Sequence, residues 1–277
     1  MISSTSRTLL YALAALFGLL GAVLFLAPAW SAENFPWRIS PMVAMTMGGW
    51  SLGSAFTAWH TALKGRDSLV YPGLLYLLLF GVFEALVLVF FRERLVLGAF
   101  LTWPYILALV LAILASGTGL LERQRMRSEP EMDSPPVSGL VRGLAILFVV
   151  FVAALALIAV FAPAGSFATE GVIFPEPLTL FTLRAFAAFY AALSGSVLPL
   201  IGARSLQPVL FQGRNGLALI LTILVAALVN LDKFDFAARP GGLIYLGAYV
   251  VALAIIVPIL LRTRSAMTSP DLEAANR

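Results

Sequence analysis

The chain has 277 residues, of which 61% are hydrophobic and 12% charged, with a formal net charge of +4 and no cysteine. Soluble domains carry about twice that share of charge, which excludes an ordinary water-soluble globular protein. The small positive excess lies in loops and leaves no footprint for nucleic acid, and the absence of cysteine excludes disulfides, thiolate metal sites and a cysteine nucleophile.

The apolar residues fall in long runs without the alternation of a barrel strand. Backbone in lipid must satisfy its own hydrogen bonds, so these runs predict membrane-spanning helices. The first, Leu9 to Ala27, follows Arg7 and ends in Ala27-Pro28-Ala29-Trp30-Ser31-Ala32, small residues that resemble a cleavage site. Its apolar core exceeds the about 7–15 residues of a signal peptide, so a retained helix is expected. Glu33 to Pro41 is a loop with two prolines, and Trp30 and Trp37 suit the membrane interface. The second helix spans Met42 to Leu63 and closes in the charged turn Lys64 to Asp67. The third, Val70 to Phe91, carries Glu84 just past its middle and ends in Arg92-Glu93-Arg94. A carboxylate at that depth is costly unless it is protonated, paired or wet. Leu95 to Thr102 is too short to span, and Trp103-Pro104 puts a proline in the first turn of a fourth helix, Pro104 to Leu121.

Glu122 to Pro136 mixes charge, serine and proline and reads as part of a flexible cytoplasmic linker, residues 122–138. Helices follow at Gly139 to Ala162, Leu178 to Ile201 (which carries Arg184), Gly216 to Leu231 and Gly241 to Leu261, with a polar tail after Arg262. Gln212 to Gly216 reads as a cytoplasmic turn, not a nucleotide site. The expectation is an all-α integral membrane protein with eight transmembrane helices.

The halves also match each other. Leu26-Ala27-Pro28-Ala29 answers Phe161-Ala162-Pro163-Ala164, and Phe35-Pro36 answers Phe174-Pro175. Ile39-Ser40 answers Leu178-Thr179, Arg66 answers Arg204 and Arg94 answers Lys233, all at offsets of 135 to 139 residues. This predicts two four-helix repeats, residues 1–121 and 139–264, followed by a cytoplasmic tail, 265–277. Four being even, the copies enter the membrane from the same side, unlike inverted-repeat transporters. With the N-terminus inside, 12 of the 18 Lys and Arg residues face the cytoplasm and 6 face out, so both termini are expected inside.

Several residues are candidate sites. Gly49, Gly53 and Thr57 recur 138 residues later as Ala187, Ala191 and Gly195. Such small ridges let helices approach closely in lipid, although Gly and Ala are also simply common there. Glu84 and Arg184 lie on oppositely running helices at depths that differ by roughly 5 Å at 1.5 Å per residue. They read either as a buried polar pair, structural or ligand-related, or as a protonated Glu84 with Arg184 snorkelling outward. His60, the only histidine, reads as interfacial, since haem ligation and a metal site both need partners it lacks. The outer acids are scattered without metal-ligand spacing, and no catalytic constellation is visible, so neither a cofactor nor an enzyme is expected.

Phe35-Pro36-Trp37-Arg38-Ile39-Ser40-Pro41, followed by Gly49-Trp50, resembles a motif in an uncharacterised family of bacterial multi-pass inner-membrane proteins, with a worn echo at Phe174-Pro175-Glu176-Pro177. The resemblance implies the cell inner membrane and no activity. Two functions remain in view. One is binding or transport of a small apolar or amphipathic molecule in a cavity between the repeats, with Glu84 and Arg184 on its wall. The other is a non-catalytic subunit or scaffold that packs on lipid, a membrane partner or a second copy. The low polarity within the helices argues against an ion or sugar path.

Overall fold

Side-chain oxygens mark where several of these helices begin. Ser3, Ser40, Ser138, Thr179 and Ser205 each accept a backbone N–H from two or three residues ahead, satisfying a donor that the first turn would otherwise orphan. The computed structural model describes residues 2–64, 67–125 and 135–267. Among these the chain is helical with no strand, and an isolated bridge joins Pro136 and Ser205. The helices are α1 (Ser4–Leu26), α2 (Pro28–Glu33), α3 (Pro41–Lys64), α4 (Asp67–Phe90), α5 (Thr102–Arg125), α6 (Gly139–Phe161), α7 (Leu180–Val197), α8 (Leu206–Val229) and α9 (Gly241–Met267). Short 3₁₀ turns cover Arg92–Arg94, Leu198–Gly202 and Leu231–Lys233.

Seven of the helices are long and apolar enough to cross a membrane: α1, α4, α5, α6, α7, α8 and α9. Helix α3 has the length but not the apolarity, being rich in Gly, Ser and Thr. It is nonetheless mostly buried, packed against α1, α2, α4 and α8. A helix wrapped by protein needs no greasy face.

Helix α8 starts at Leu206 rather than Gly216. Gln212 to Gly216 is therefore helix and not a turn. Ser205 caps it, and Gln212 and Asn215 are buried with partners of their own, so their polarity does not force them out. The linker is likewise partly ordered. Residues 122–125 extend α5; Glu122 accepts hydrogen bonds from the Ser3 amide at 2.9 Å and the Ser6 hydroxyl at 2.9 Å, tying α5 to the start of α1. Pro135 and Val137 pair with Leu206 and Arg204 through backbone hydrogen bonds. The linker stretch 126–134, the turn residues 65–66 and the tail after residue 267 lie outside the described residues.

The packing is cross-wise. Helix α3 packs on α8, and α4 packs on α7. The predicted small ridges join these pairs instead of each other. A Cβ on Gly49 would lie 3.2 Å from the Thr222 carbonyl carbon, and one on Gly53 2.9 Å from Leu219 Cα, both on α8. A Cβ on Gly195 would meet Leu79 of α4. Thr57 is buried and turns its hydroxyl back to the Gly53 carbonyl, 3.0 Å away. Ala187 is buried and Ala191 half-buried. Helices α3 and α7 meet through large rings: Trp50 stacks on Phe189 at 4.3 Å and stands edge-on to Phe186 at 4.6 Å. Rings of that size hold the backbones apart, so close approach happens elsewhere. The tightest crossing is α1 on α3, where added Cβ atoms on Gly21 and Gly48 would lie 2.8 Å from Leu52 N and 2.7 Å from Phe25 N.

The Phe35-to-Pro41 stretch joins the halves at the end of the bundle where α3 begins. Trp37 stacks on Phe181 at 4.2 Å and donates its indole N–H to the Thr182 hydroxyl at 3.2 Å. Phe35 and Tyr105 pack edge-on against it, and Ser40 hydrogen-bonds Glu176.

Candidate functional site

Glu84 and Arg184 take different partners, and no ion pair joins them. Glu84 is fully buried on α4. Its Oε2 accepts the Tyr105 hydroxyl of α5 at 3.0 Å, and its Oε1 has no partner. Arg184, on α7, donates to the carbonyls of Ala159 and Ala162, the latter at 2.9 Å. These are orphaned groups at the C-terminal end of α6, and Pro163 follows without an N–H to offer. A cation there also suits the negative end of the helix dipole. An unpaired helix end next door thus supplies what the arginine needs.

His60 is buried, not interfacial. Its ring stacks on Phe211 at 4.3 Å, and Nδ1 lies 2.8 Å from Asn215 Oδ1. Asn215 Nδ2 reaches Gln212 Oε1 at 3.5 Å, and Gln212 Nε2 donates to Ser196 at 3.2 Å. Polar groups from α3, α8 and α7 therefore satisfy one another inside the bundle. Gln212 and Asn215, three apart and so on one helix face, were the sequence signal for this row.

A cavity of about 240 Å³ lies among α6, α7, α8 and α9. Phe148, Val152 and Leu155 of α6, Tyr190 and Leu193 of α7, Gln212, Gly216 and Ile220 of α8, and Tyr245, Tyr249, Ala252 and Ile256 of α9 line it, with Ile173 and Phe174 at one end. No charged side chain lines it; Tyr190, Tyr245, Tyr249 and Gln212 are its polar groups. Helix α1 packs on α5, but α6 and α9 do not pack on each other in that way, which leaves the cavity open between them. Neither Glu84 nor Arg184 reaches its wall.

The tyrosines lie together on the wall, the Tyr245 and Tyr249 rings meeting edge-on at 5.1 Å. Tyr245 and Tyr249, one helical turn apart in an otherwise aliphatic run, carry the sequence signal that the reading above passed over.

No family model, curated protein or solved structure matches this chain. The cavity must therefore be understood from its own chemistry.

Near the cavity's Phe174 end, burial pushes the Glu176 carboxyl above the usual carboxylate range. The Ser40 hydroxyl and the charges of Lys233 and Arg239 oppose that shift without cancelling it. Arg239 also donates to the Pro175 carbonyl at 3.2 Å, holding the loop over the start of α9. Among the described residues no cluster of His, Asp and Glu could hold a metal ion.

Proposed function

We propose that this protein is a membrane-embedded binder or carrier of a single apolar or amphipathic molecule, held among α6, α7, α8 and α9. The observation that carries the reading is a cavity without a charged side chain, open between two helices whose outer faces are the least buried of the candidate spans. Lipid-soluble molecules reach such a site sideways, through the bilayer. Ions and sugars find nothing there to replace their water.

The eight-helix, two-repeat layout with both termini cytoplasmic belongs to the same proposal, with α3 as the eighth span. Three spacings support it. The N-caps Ser40 and Thr179, the starts of α5 and α9 at Thr102 and Gly241, and the 3₁₀ turns at Arg92 and Leu231 all recur 139 residues apart. The crossed pairs α3 with α8 and α4 with α7 are what a two-fold axis would exchange. On this reading the first copy is closed by α1 against α5, and the second is left open.

Native mass spectrometry of the protein released from its own membranes tests the binder. The wild type is expected to retain a small apolar or amphipathic molecule that Leu193→Trp and Ala252→Trp, each filling the cavity, lose while keeping their fold. Equal retention by both filled variants would overturn the reading. A wild type that retains nothing favours the alternative, a non-catalytic subunit, for which the exposed apolar faces of α6 and α9 speak.

A further inference from the structure

The buried row that starts at His60 ends in the cavity, and its hydrogen bonds have a fixed sense. Ser196 gives its hydroxyl proton to the Leu193 carbonyl, 2.8 Å away, so toward Gln212 it can only accept. The Gln212 amide nitrogen therefore faces Ser196 at 3.2 Å, and its oxygen faces the Asn215 amide nitrogen at 3.5 Å. Asn215 in turn presents its oxygen to His60 Nδ1, which carries the proton of that contact. A primary amide has two N–H donors. Gln212 gives one to Ser196, and no group among the described residues takes the second.

Gln212 is 7% exposed and, alone of this row, lines the cavity. A Cβ added at Gly213 or Gly216 beside it would lie 3.8 Å from Leu260 or 3.9 Å from Ile256 of α9. The amide thus sits at the end of the cavity remote from Tyr245 and Phe174, and Tyr245 to Ile256 spans about 16 Å at 1.5 Å per residue. The side chains around that end, among them Val197, Leu200, Val209, Ile256 and Ile259, are apolar. A water molecule needs about 2–4 polar partners to be held, and this end offers a single polar side chain.

We infer that Gln212 selects the cavity's occupant: its second N–H takes an uncharged hydrogen-bond acceptor, a carbonyl oxygen in chemical class, on a molecule whose apolar body extends toward Tyr245 and Phe174. A hydrocarbon would leave the N–H unpaired, at a cost that a carbonyl removes. A carboxylate would accept too, but no charged side chain lines the wall to offset its desolvation. An ammonium has only donors, and a hydroxyl brings a proton that needs a place of its own. The inference rests on the proposed binding function and adds the polar group and the direction in which the molecule lies.

The test uses the full chain in phospholipid nanodiscs, labelled by a tridecan-2-one analogue with a diazirine at the end remote from its carbonyl. Tridecan-2-one and tridecane compete at matched content in the bilayer. Labelling is expected on α9 near Tyr245 and Ala248; labelling near Ile256 and Ile259 instead would reverse the molecule and overturn the inference. The ketone should displace the label at roughly fivefold lower content than the hydrocarbon, the worth of one net hydrogen bond. Gln212→Met should remove that advantage without weakening the hydrocarbon. Where this variant does not fold, the infrared band of an isotope-labelled carbonyl bound to the wild type decides, and it is expected below its position in lipid alone. Equal displacement by both compounds, or an unshifted band, overturns the carbonyl inference and leaves the apolar binder standing. No displaceable labelling of the cavity overturns both.

Discussion

Glu84 and Arg184 illustrate how a buried polar residue is settled by its neighbours. Each is served by a group that happens to lie beside it: the Tyr105 hydroxyl for Glu84 and the end of α6 for Arg184. Because they share no partner, Glu84→Gln and Arg184→Met should lower thermal stability additively, within about 0.5 kcal/mol. A double mutant that recovers stability would show a coupling that the geometry lacks. Tyr105→Phe removes Glu84's hydrogen-bond partner and should cost about 1–3 kcal/mol, the penalty for a buried polar group left unpaired. Unfolding of purified protein across detergent and urea series checks both. Glu176 adds a pH dependence. Its folded carboxyl binds protons more readily than the unfolded one, so its contribution is fully present below the ordinary carboxylate range and is lost as pH rises through the elevated folded value. Apparent melting temperature should therefore fall from pH 4 to pH 7 more steeply in the wild type than in Glu176→Gln. Parallel curves would place the carboxylate in water.

At the scale of elements, glycine decides which helices touch. Gly48 and Gly21 set the α1–α3 crossing, where an added methyl group meets backbone nitrogen rather than a movable side chain. Gly48→Ala should therefore cost more than Gly195→Ala, whose nearest obstacle is the far end of Leu79. Overpacking of this kind costs about 1–3 kcal/mol in soluble cores. Equal melting temperatures for the two variants would mean that the α1–α3 crossing can relax. Gly53→Leu should likewise open the α3–α8 contact, not an α3–α7 one, and cross-linking between cysteines placed on each pair would tell them apart.

For the whole molecule, membrane character and the all-helical class follow directly from composition and run length. Reporter fusions at Glu129 and Gly171 are expected to read inside and outside, as the Lys and Arg balance requires. Opposite labelling would invert the orientation and leave the packing untouched. Which helices close on each other is a tertiary matter. Helix α1 packs on α5, whereas α6 and α9 flank the open cavity.

The sequence by itself determined the helical class, the approximate spans and the presence of costly polar residues in apolar runs. Hydropathy reports transfer into an apolar medium, and that alone places a helix in the membrane. It does not distinguish lipid from protein interior, which is why α3, soft in apolarity yet buried, and α8, with Gln212 and Asn215 inside its first turns, needed the fold to be understood. The partners of Glu84, Arg184 and His60 were likewise decided only by the tertiary structure. A hydrogen bond depends on which helix lies alongside and how it is rotated, and neither follows from the order of residues along one helix.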